Sequence, residues 1–443
     1  DALVQRDGIG TFRPGLAESW SVSSDAKTWK FKLRKSVSFH NGEKLVADDV
    51  VANFNRFRDP SMKGEAGTKG VYPSYFEKTV ASALDDQTVK MELETPMSDL
   101  LDLLIEMPIA PRNHFDTIEE DLTGTGPYVL EESSDKHLVT VANKDYWGGE
   151  AQYKTVNWIK ETNAMKRLEA LNRGEADFIP SLDVSLHDQV NPRVTIVEKE
   201  SNVCMIYFFN AQKGPCMDKR VRQALNYGID KKRLIDEVLN GAAYPLESVF
   251  SPLSLGYVPD VPGYPYNQEK AKKLLAEAGY GDGLQISLNK PFGDGWGTKV
   301  LSENLHDQYE LIGVDLKINS YPNDNPGEYS DFVKAKEIDD MAWFDSSPLS
   351  TYRVCREKLH SGYKGAWWEG YSNATVDSLI DQSERTLDLA KKEELFKGVY
   401  REAWDDPPWL YLYRPRMFWG VSEKLKKWKP ANDGLTFPFY FSK

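Results

Sequence analysis

The most informative part of the sequence runs from Gly15 to Val50 and reads GLAESWSVSSDAKTWKFKLRKSVSFHNGEKLVADDV. In TWKFKLR the apolar residues Trp29, Phe31 and Leu33 alternate with basic residues, which predicts a strand with one buried face. SWSVS predicts a preceding strand, and SSDAK predicts the turn between the two. A helix is predicted to begin in VADDV. The unit is a well-specified hairpin and helix without chemically reactive groups.

Outward from this hairpin, segments of strand and helix alternate along the chain. Residues 153–179 predict a strand, a helix ended by Gly174 and a second strand, and residues 284–322 repeat this order. Such strand–helix–strand units favour an α/β protein with a parallel or mixed sheet. NVCMIYFFN at 202–210 and WLYLYRPRMFWGV at 409–421 predict buried strands.

Composition narrows the classes of function. The 443 residues suggest about two to three domains. The net charge of −13 argues against a nucleic-acid partner, because phosphate binding requires a basic surface. No stretch approaches the roughly 18 to 20 apolar residues of a membrane helix. The 12 Trp and 22 Tyr residues suit sugar or peptide sites, although most aromatic residues serve the core.

Motifs for catalysis or metal binding are missing from the sequence. There is no G-x-S-x-G, H-E-x-x-H, Walker A or G-x-G-x-x-G pattern, and GTGPY leads into a predicted strand rather than a helix. The six histidines are scattered, and Cys204, Cys216 and Cys355 fit no metal spacing. Cys204 and Cys216 could pair in an oxidising compartment, but free thiols are the simpler interpretation. We therefore predict that the protein is not an enzyme and uses no metal or cofactor.

Several segments together resemble one family. GLAESWSVSSDAKTWKFKLRKSVSFHNGEKLVADDV, GTGPYVL, NKDYWGG, FFNAQKGPCMDKRVRQALNYGIDKKRLI and YNQEKAKKLLAEAGY resemble, in order and spacing, the family 5 solute-binding proteins of ABC importers. This is the dipeptide, oligopeptide and nickel class, and the resemblance covers essentially the whole chain. It implies a two-lobed α/β periplasmic-binding-protein fold of type II, cluster C-like, with an extra inserted region. Such a receptor closes around a ligand by a hinge motion and delivers it to a membrane permease.

The resemblance also implies a domain organisation. Residues 1–123 would form the inserted region of lobe one, 124–212 lobe one completed by 414–443, and 213–413 lobe two. Family members normally carry a further segment before the point where this chain begins, with a signal peptide and the first strand of lobe one. We therefore expect a periplasmic or cell-surface monomer whose signal peptide is not in the sequence, and whose partners are a small-molecule ligand and an ABC-transporter permease.

The same resemblance indicates a ligand site. In peptide-binding members a W-x-x-D-like segment lines the pocket, and its carboxylate pairs with the amino terminus of the peptide. Residues 339–359 place Trp343 and Asp345 near those positions, and Ser346 and Ser347 add hydroxyls. From the residues alone, the acidic, hydroxyl and proline side chains at 345–348 are equally well explained as the cap of a following helix. The two roles are compatible.

Further candidate ligand residues are aromatic or cationic. Arg353 could bind an anion or lie at the surface. The aromatic candidates lie in the GAWWEGYSN loop, in the strand predicted at 409–421, which the resemblance implies is a hinge strand, and in VYPSYF: Trp367, Trp368, Tyr371, Tyr411, Tyr413 and Tyr75.

The predicted ligand is a small polar molecule. Peptide binders often have an arginine shortly before the Trp, where this chain has Asp340 and Met341. We therefore favour a sugar, opine, oligosaccharide or sugar-phosphate ligand, with a short peptide as the alternative. A nickel or haem ligand is disfavoured, because no histidine lies near Trp343 or Tyr411 in the sequence.

Overall fold

The computed structural model describes residues 1–59, 61, 71–292, 297–322 and 325–430. The strands are β1 Val4–Gly8, β2 Thr11–Pro14, β3 Ala17–Val22, β4 Thr28–Leu33, β5 Val80–Asp85, β6 Thr88–Glu92, β7 Tyr128–Ser133, β8 His137–Ala142, β9 Thr155–Ile159, β10 Phe178–Ile179, β11 Thr195–Glu200, β12 Cys204–Phe209, β13 Ala243–Pro245, β14 Leu284–Lys290, β15 Val314–Ser320, β16 Met341–Ser346 and β17 Trp409–Val421. The α-helices are α1 Ala47–Phe57, α2 Val71–Phe76, α3 Leu100–Leu104, α4 Ile118–Asp121, α5 Ala164–Arg173, α6 Lys219–Tyr227, α7 Lys231–Val238, α8 Gln268–Glu277, α9 Thr298–Glu310, α10 Pro326–Lys334, α11 Thr351–Val354, α12 Ala374–Glu384 and α13 Leu389–Asp405.

The described residues fall into two compact units. One holds the described residues up to Lys199 and those from Met417 onward, and the other holds Glu200–Arg416. These boundaries differ from the domain limits that the resemblance implies, 212/213 and 413/414. The separate inserted region 1–123 stays a prediction, and residues 431–443 of the predicted lobe one lie outside the described part of the chain.

The first unit contains the predicted hairpin and helix. Strands β3 and β4 pair antiparallel, with Trp20 opposite Phe31, and the sheet order is β3-β4-β6-β5. Trp29, Phe31 and Leu33 are buried, as their alternation predicts. The backbone N–H of Val46 donates to the Asp49 carboxylate over 3.0 Å at the start of α1. The hairpin and helix prediction is confirmed.

The two predicted strand–helix–strand units have different outcomes. Strands β14 and β15 pair parallel along their whole length with α9 between them, which confirms the unit at 284–322. In the unit at 153–179 the strands and α5 form, and Gly174 ends the helix with φ 76°. However, β9 belongs to the β7-β8-β9 sheet whereas β10 pairs with β17, so this pairing prediction is wrong. Periodicity specifies the elements, but the partner of a strand depends on distant parts of the chain.

The second unit is built on a mixed sheet. Strand β12 is buried along its whole length and lies between β16 and β17, pairing antiparallel with both. Strand β16 continues to β14 through Met341 and Ala342 only. The sheet therefore presents the end of β16 beside the start of β12.

Two general properties follow from the described residues. Among them, no helix has the length and apolar character that crossing a bilayer requires. Cys204, Cys216 and Cys355 are free and buried, so the structure does not contain the considered disulfide between Cys204 and Cys216.

Candidate functional site

The register of the central strands assembles part of the predicted site. Tyr207 of β12 lies opposite Trp343, and Met205 lies opposite both Asp345 and Tyr413. Directly opposed residues of antiparallel strands share a face of the sheet, so Trp343, Asp345 and Tyr413 project from the same face. Trp343 and Tyr413 are buried there, whereas Asp345 is partly exposed.

Asp345 provides the charge on this face. Within the described part of the chain, no side chain or backbone group donates a hydrogen bond to its carboxylate. A partly exposed carboxylate beside buried aromatic rings suits an amine or a hydroxyl group of a ligand.

The alternative role of Asp345 as a helix cap is wrong. Asp345 lies inside β16, and the helix that follows, α11, is capped by Ser350 instead. The Oγ of Ser350 accepts a hydrogen bond from the backbone N–H of Arg353 over 3.1 Å. The strand therefore ends within residues 345–348, and the helix begins only after Ser350.

Ser346 and Ser347 occupy different surroundings. Ser346 is 3 % exposed, and its Oγ has no hydrogen-bond partner among the described residues. Ser347 is exposed, and its carbonyl oxygen accepts a hydrogen bond from Nδ2 of Asn202 over 2.9 Å. The Oδ1 of Asn202 in turn accepts from Oγ of Ser251 over 2.7 Å and from Oγ of Ser254 over 3.4 Å. The end of β16 therefore lies beside a buried group of hydroxyls and an amide.

Lys358 belongs to this neighbourhood, although no sequence pattern singled it out. Its side chain is 3 % exposed, and Nζ donates to the backbone carbonyl of Asp345 over 2.9 Å. The Nζ atom also lies 5.9 Å from the ring centroids of Phe208 and Phe344. Burial lowers the pKa of Lys358, and the nearby Asp345 carboxylate opposes that shift. A single lysine in a short, mixed helical turn carries no sequence signal for burial.

Arg353 is buried and is not a surface residue. Its Nε lies 2.8 Å from Oε1 of Glu357, one helical turn later, and both side chains are largely removed from solvent. The predicted surface role is therefore wrong, and an additional contact of Arg353 with a ligand stays a prediction.

The aromatic loop packs against β16. The ring centroids of Trp367 and Phe344 are 4.6 Å apart. Nε1 of Trp368 donates to the carbonyl oxygen of Tyr371 over 2.6 Å. Trp367 and Tyr371 are buried, whereas Trp368 is partly exposed. These contacts explain why a loop rich in aromatic residues is stable, and ligand contacts of its three aromatic residues stay a prediction.

Two further predicted ligand residues are packed in the interior. The hydroxyl of Tyr411 donates to the carbonyl oxygen of Ala403 over 2.7 Å, and the residue is fully buried. Its ring lies on the opposite face of the sheet from Asp345, because it is opposed to Ile206. Tyr75 belongs to the other unit, where it is buried beside Phe76 in α2. The register therefore separates Tyr411 from Asp345, and contacts of Tyr411 and Tyr75 with a ligand remain predictions.

An ion pair between the buried Glu369 and the partly exposed Lys336 anchors the aromatic loop. Oε1 of Glu369 lies 3.2 Å from Nζ of Lys336, which also donates to the carbonyl oxygen of Ala366 over 2.8 Å. The carbonyl oxygen of Glu369 accepts a hydrogen bond from the backbone N–H of Ala211 over 2.8 Å. Burial raises the pKa of Glu369 to about 7, against the opposing charges of Lys336 and Lys213. The anchor of the loop therefore includes a carboxyl group that titrates near neutral pH.

The stability of the second unit is expected to depend on the protonation of Glu369. The pKa of Glu369 is 4.5 in the unfolded chain and about 7 in the folded protein. Between these two pH values the folded state holds a proton on Glu369 that the unfolded state has released. Stability should therefore rise as the pH falls through this range, by up to about 1.4 kcal/mol per pH unit. Glu369→Gln should flatten this dependence, as measured by melting temperatures from about pH 5 to about pH 8. The exposed Glu303→Gln is the control, and an equal pH dependence in the wild type and in Glu369→Gln would contradict the prediction.

The described residues contain no group of three or more histidine, cysteine, aspartate or glutamate side chains placed to hold a metal ion. The polar groups near Asp345 are hydroxyls, an amide and an ammonium. Their chemistry suits an organic ligand with hydrogen-bonding groups.

Comparison with protein families gives an extended match. Residues 11–355 match the family described as bacterial extracellular solute-binding proteins, family 5 middle. Three relatives are similar over most of their length. Heme-binding protein A of Haemophilus influenzae is 28 % identical, over 95 % of this chain and 82 % of its own. The dipeptide-binding protein of Escherichia coli is 29 % identical, over 94 % of this chain and 84 % of its own length. The glutathione-binding protein GsiB of Pectobacterium atrosepticum is 28 % identical, over 95 % of this chain and 84 % of its own length.

Solved structures share the fold. A putative peptide-binding protein, AppA, of Clostridium difficile has a TM-score of 0.85 at 21 % identity, covering 100 % of this chain and 93 % of its own. The binding protein AgaA of A. tumefacien R10, in complex with agropinic acid, has a TM-score of 0.82 at 22 % identity. The match covers 100 % of this chain and 91 % of AgaA. At these identities the likeness establishes the two-lobed α/β fold of periplasmic binding proteins and nothing about the ligand.

Proposed function

Because the chain belongs to the bacterial extracellular solute-binding proteins of family 5, we propose that it is the receptor of an ABC importer for short peptides. The family consists of extracytoplasmic substrate-binding components of ABC importers, and this chain is one of them. The proposal concerns the ligand. The proposed ligand is the short peptide that the sequence analysis gives as the alternative, and not the sugar or opine that it favours.

The observation that carries the proposal is the environment of Asp345. Its carboxylate is partly exposed on a sheet face that is otherwise buried, and no described group donates a hydrogen bond to it. A carboxylate in such a place is suited to the charged amino terminus of a peptide, because a charge-assisted hydrogen bond gains strength where water is excluded.

The relatives support the same ligand class. Two of the three are named for binding a dipeptide or glutathione, which is itself a tripeptide, and the third for binding haem. The sugar or opine preference is not confirmed, since the likeness to the agropinic acid complex extends to the fold alone.

Calorimetric titration with a fixed panel tests the proposal. The panel contains alanyl-alanine, alanyl-glutamate, lysyl-alanine, glutathione, agropinic acid, sucrose and haem. At least one peptide should bind, and its N-acetylated form should bind at least about tenfold more weakly, because acetylation removes the ammonium group that Asp345 would hold. Binding of agropinic acid, sucrose or haem without binding of any peptide would refute the proposal. Equal binding of a peptide and its acetylated form would refute the role of the amine.

A further inference from the structure

Glu369, in the aromatic loop at residues 365–373, is a buried carboxyl group that is only half satisfied. The residue is 4 % exposed. Its Oε1 lies 3.2 Å from Nζ of Lys336, whereas the buried Oε2 has no hydrogen-bond partner among the described residues. A carboxylate oxygen without a donor is costly to bury, and this cost falls when the group takes up a proton. The geometry therefore favours the neutral carboxyl group while the loop is in place.

The charged groups that face Glu369 belong to neighbouring segments of the same unit. Lys336 follows α10 and Lys213 follows β12, and both oppose the effect of burial on the carboxyl group. Burial is the larger influence, and it raises the pKa of Glu369 to about 7. Tyr329 of α10 also interacts with Glu369, but burial raises the pKa of the phenol well above its ordinary value, so it stays neutral. Glu369 is therefore the group of this cluster that changes charge near neutral pH.

The loop is held in place together with two residues in unfavourable backbone conformations. Lys364, which directly precedes the loop, has φ 46°, and Lys336 has φ 63°. Both angles lie in the left-handed region, which residues other than glycine keep only when surrounding contacts hold them there. Nζ of Lys336 contacts the loop twice, at Oε1 of Glu369 and at the carbonyl oxygen of Ala366 over 2.8 Å. Opening of the loop would release Lys336 from this conformation, which lowers the cost of opening.

Two contacts connect the loop to the strand end that carries Asp345. The ring of Trp367 packs against Phe344, which precedes Asp345 in β16. The backbone N–H of Trp367 donates to the carbonyl oxygen of Glu357 over 3.1 Å. Glu357 belongs to the same short helical turn as Lys358, whose Nζ donates to the carbonyl oxygen of Asp345. The loop therefore supports both the packing and the hydrogen bonding of this strand end.

We propose that Glu369 is a proton sensor that holds the aromatic loop on β16 more firmly in acid than in alkaline solution. The direction follows from the protons bound in the two states of the loop. When the loop opens, Glu369 enters water and its pKa returns toward the ordinary value of 4.5. Between this value and about 7, the closed loop holds a proton that the open loop releases, so a falling pH favours the closed loop.

Hydrogen exchange of backbone amides in the ligand-free protein measures the opening of the loop. The probes are the N–H groups of Trp367 and of Ala211, which donates to the carbonyl oxygen of Glu369 over 2.8 Å. Their protection factors, corrected for the intrinsic pH dependence of exchange, should rise by up to about tenfold per pH unit between about pH 7 and pH 5. The N–H of Lys270, which donates to Oδ1 of Asn267 at the start of α8, is the reference and should stay nearly constant.

Glu369→Gln is the decisive variant, because its neutral amide resembles the protonated carboxyl group at every pH. Protection of the two probes should then be high and nearly independent of pH. Glu303→Gln, at an exposed carboxyl group of α9, is the matched control and should keep the wild-type dependence. Lys336→Met removes a charge that opposes protonation, so it should move the dependence to higher pH. This variant keeps the test valid if Glu369→Gln does not fold.

The outcomes are independent of the ligand. Equal protection of the Trp367 and Ala211 amides at pH 5 and pH 8 in the wild type would overturn the sensor. An equal pH dependence in the wild type and in Glu369→Gln would overturn it as well, because the effect would then belong to another group. Since these measurements use the ligand-free protein, failure of the sensor leaves the proposed peptide receptor standing, and failure of the peptide titrations leaves the sensor standing.

Discussion

Asp345→Asn is expected to weaken peptide binding by about 1.5 to 3 kcal/mol, a loss of roughly tenfold to more than a hundredfold in affinity. The substitution keeps the size of the side chain and removes the charge that would pair with the ammonium group of the ligand. The melting temperature of the ligand-free protein should change little, because no described group donates a hydrogen bond to this carboxylate. Calorimetry with the tightest-binding peptide of the panel and thermal unfolding without ligand measure the two quantities.

Ser350→Ala is the complementary variant. Ser350 caps α11, so its loss should lower stability by about 1 kcal/mol and leave the affinity nearly unchanged. Asp315→Asn, an exposed carboxylate on β15, should change neither quantity appreciably. If Asp345→Asn lowers the stability of the ligand-free protein as Ser350→Ala does while affinity is retained, Asp345 has a structural role and no role in binding.

Arg222→Leu is expected to lower the free energy of unfolding by about 3 to 5 kcal/mol, which lowers the melting temperature of the Glu200–Arg416 unit by roughly 6 to 20 °C. Arg222 is 5 % exposed and forms an ion pair with Asp406. Its guanidinium also donates to the carbonyl oxygens of Pro407, Cys216 and Met217, over 2.9, 2.8 and 3.0 Å. The variant leaves a largely buried carboxylate and three carbonyl oxygens without this donor. Differential scanning calorimetry of the ligand-free protein measures the effect.

A matched arginine on the same helix provides the control. Arg220 is exposed and pairs with Asp218 at the start of α6 over 2.6 Å. Because exposed ion pairs contribute little, Arg220→Leu should cost at most about 1 kcal/mol. Equal losses for the two variants would show that the buried network of Arg222 does not hold the start of α6 to the segment 405–407.

Local patterns in the sequence predict helices and strands where the signal lies within a few neighbouring residues. The alternation around Trp29, Phe31 and Leu33 specifies β4, because one-sided burial requires a period of two. Gly174 ends α5 where the sequence predicts it, since capping depends on residues within one turn. The same kind of evidence did not distinguish a helix cap from a strand end at residues 345–348, because Ser350 satisfies the capping pattern a few residues later.

The candidate site shows how far sequence patterns extend. The order of motifs along the chain identified the family and indicated Trp343 and Asp345 as candidate ligand residues. Motif order and spacing are properties of the sequence itself and do not depend on knowing the fold. The register of β16 and β17 on the strand between them, β12, places Trp343, Asp345 and Tyr413 on one face of the sheet and Tyr411 on the other. The burial of Lys358 and the free hydroxyl of Ser346 likewise depend on which segments pack around them. Such facts arise from contacts between residues far apart in the chain, and for this reason they emerged from the folded molecule and not from its sequence.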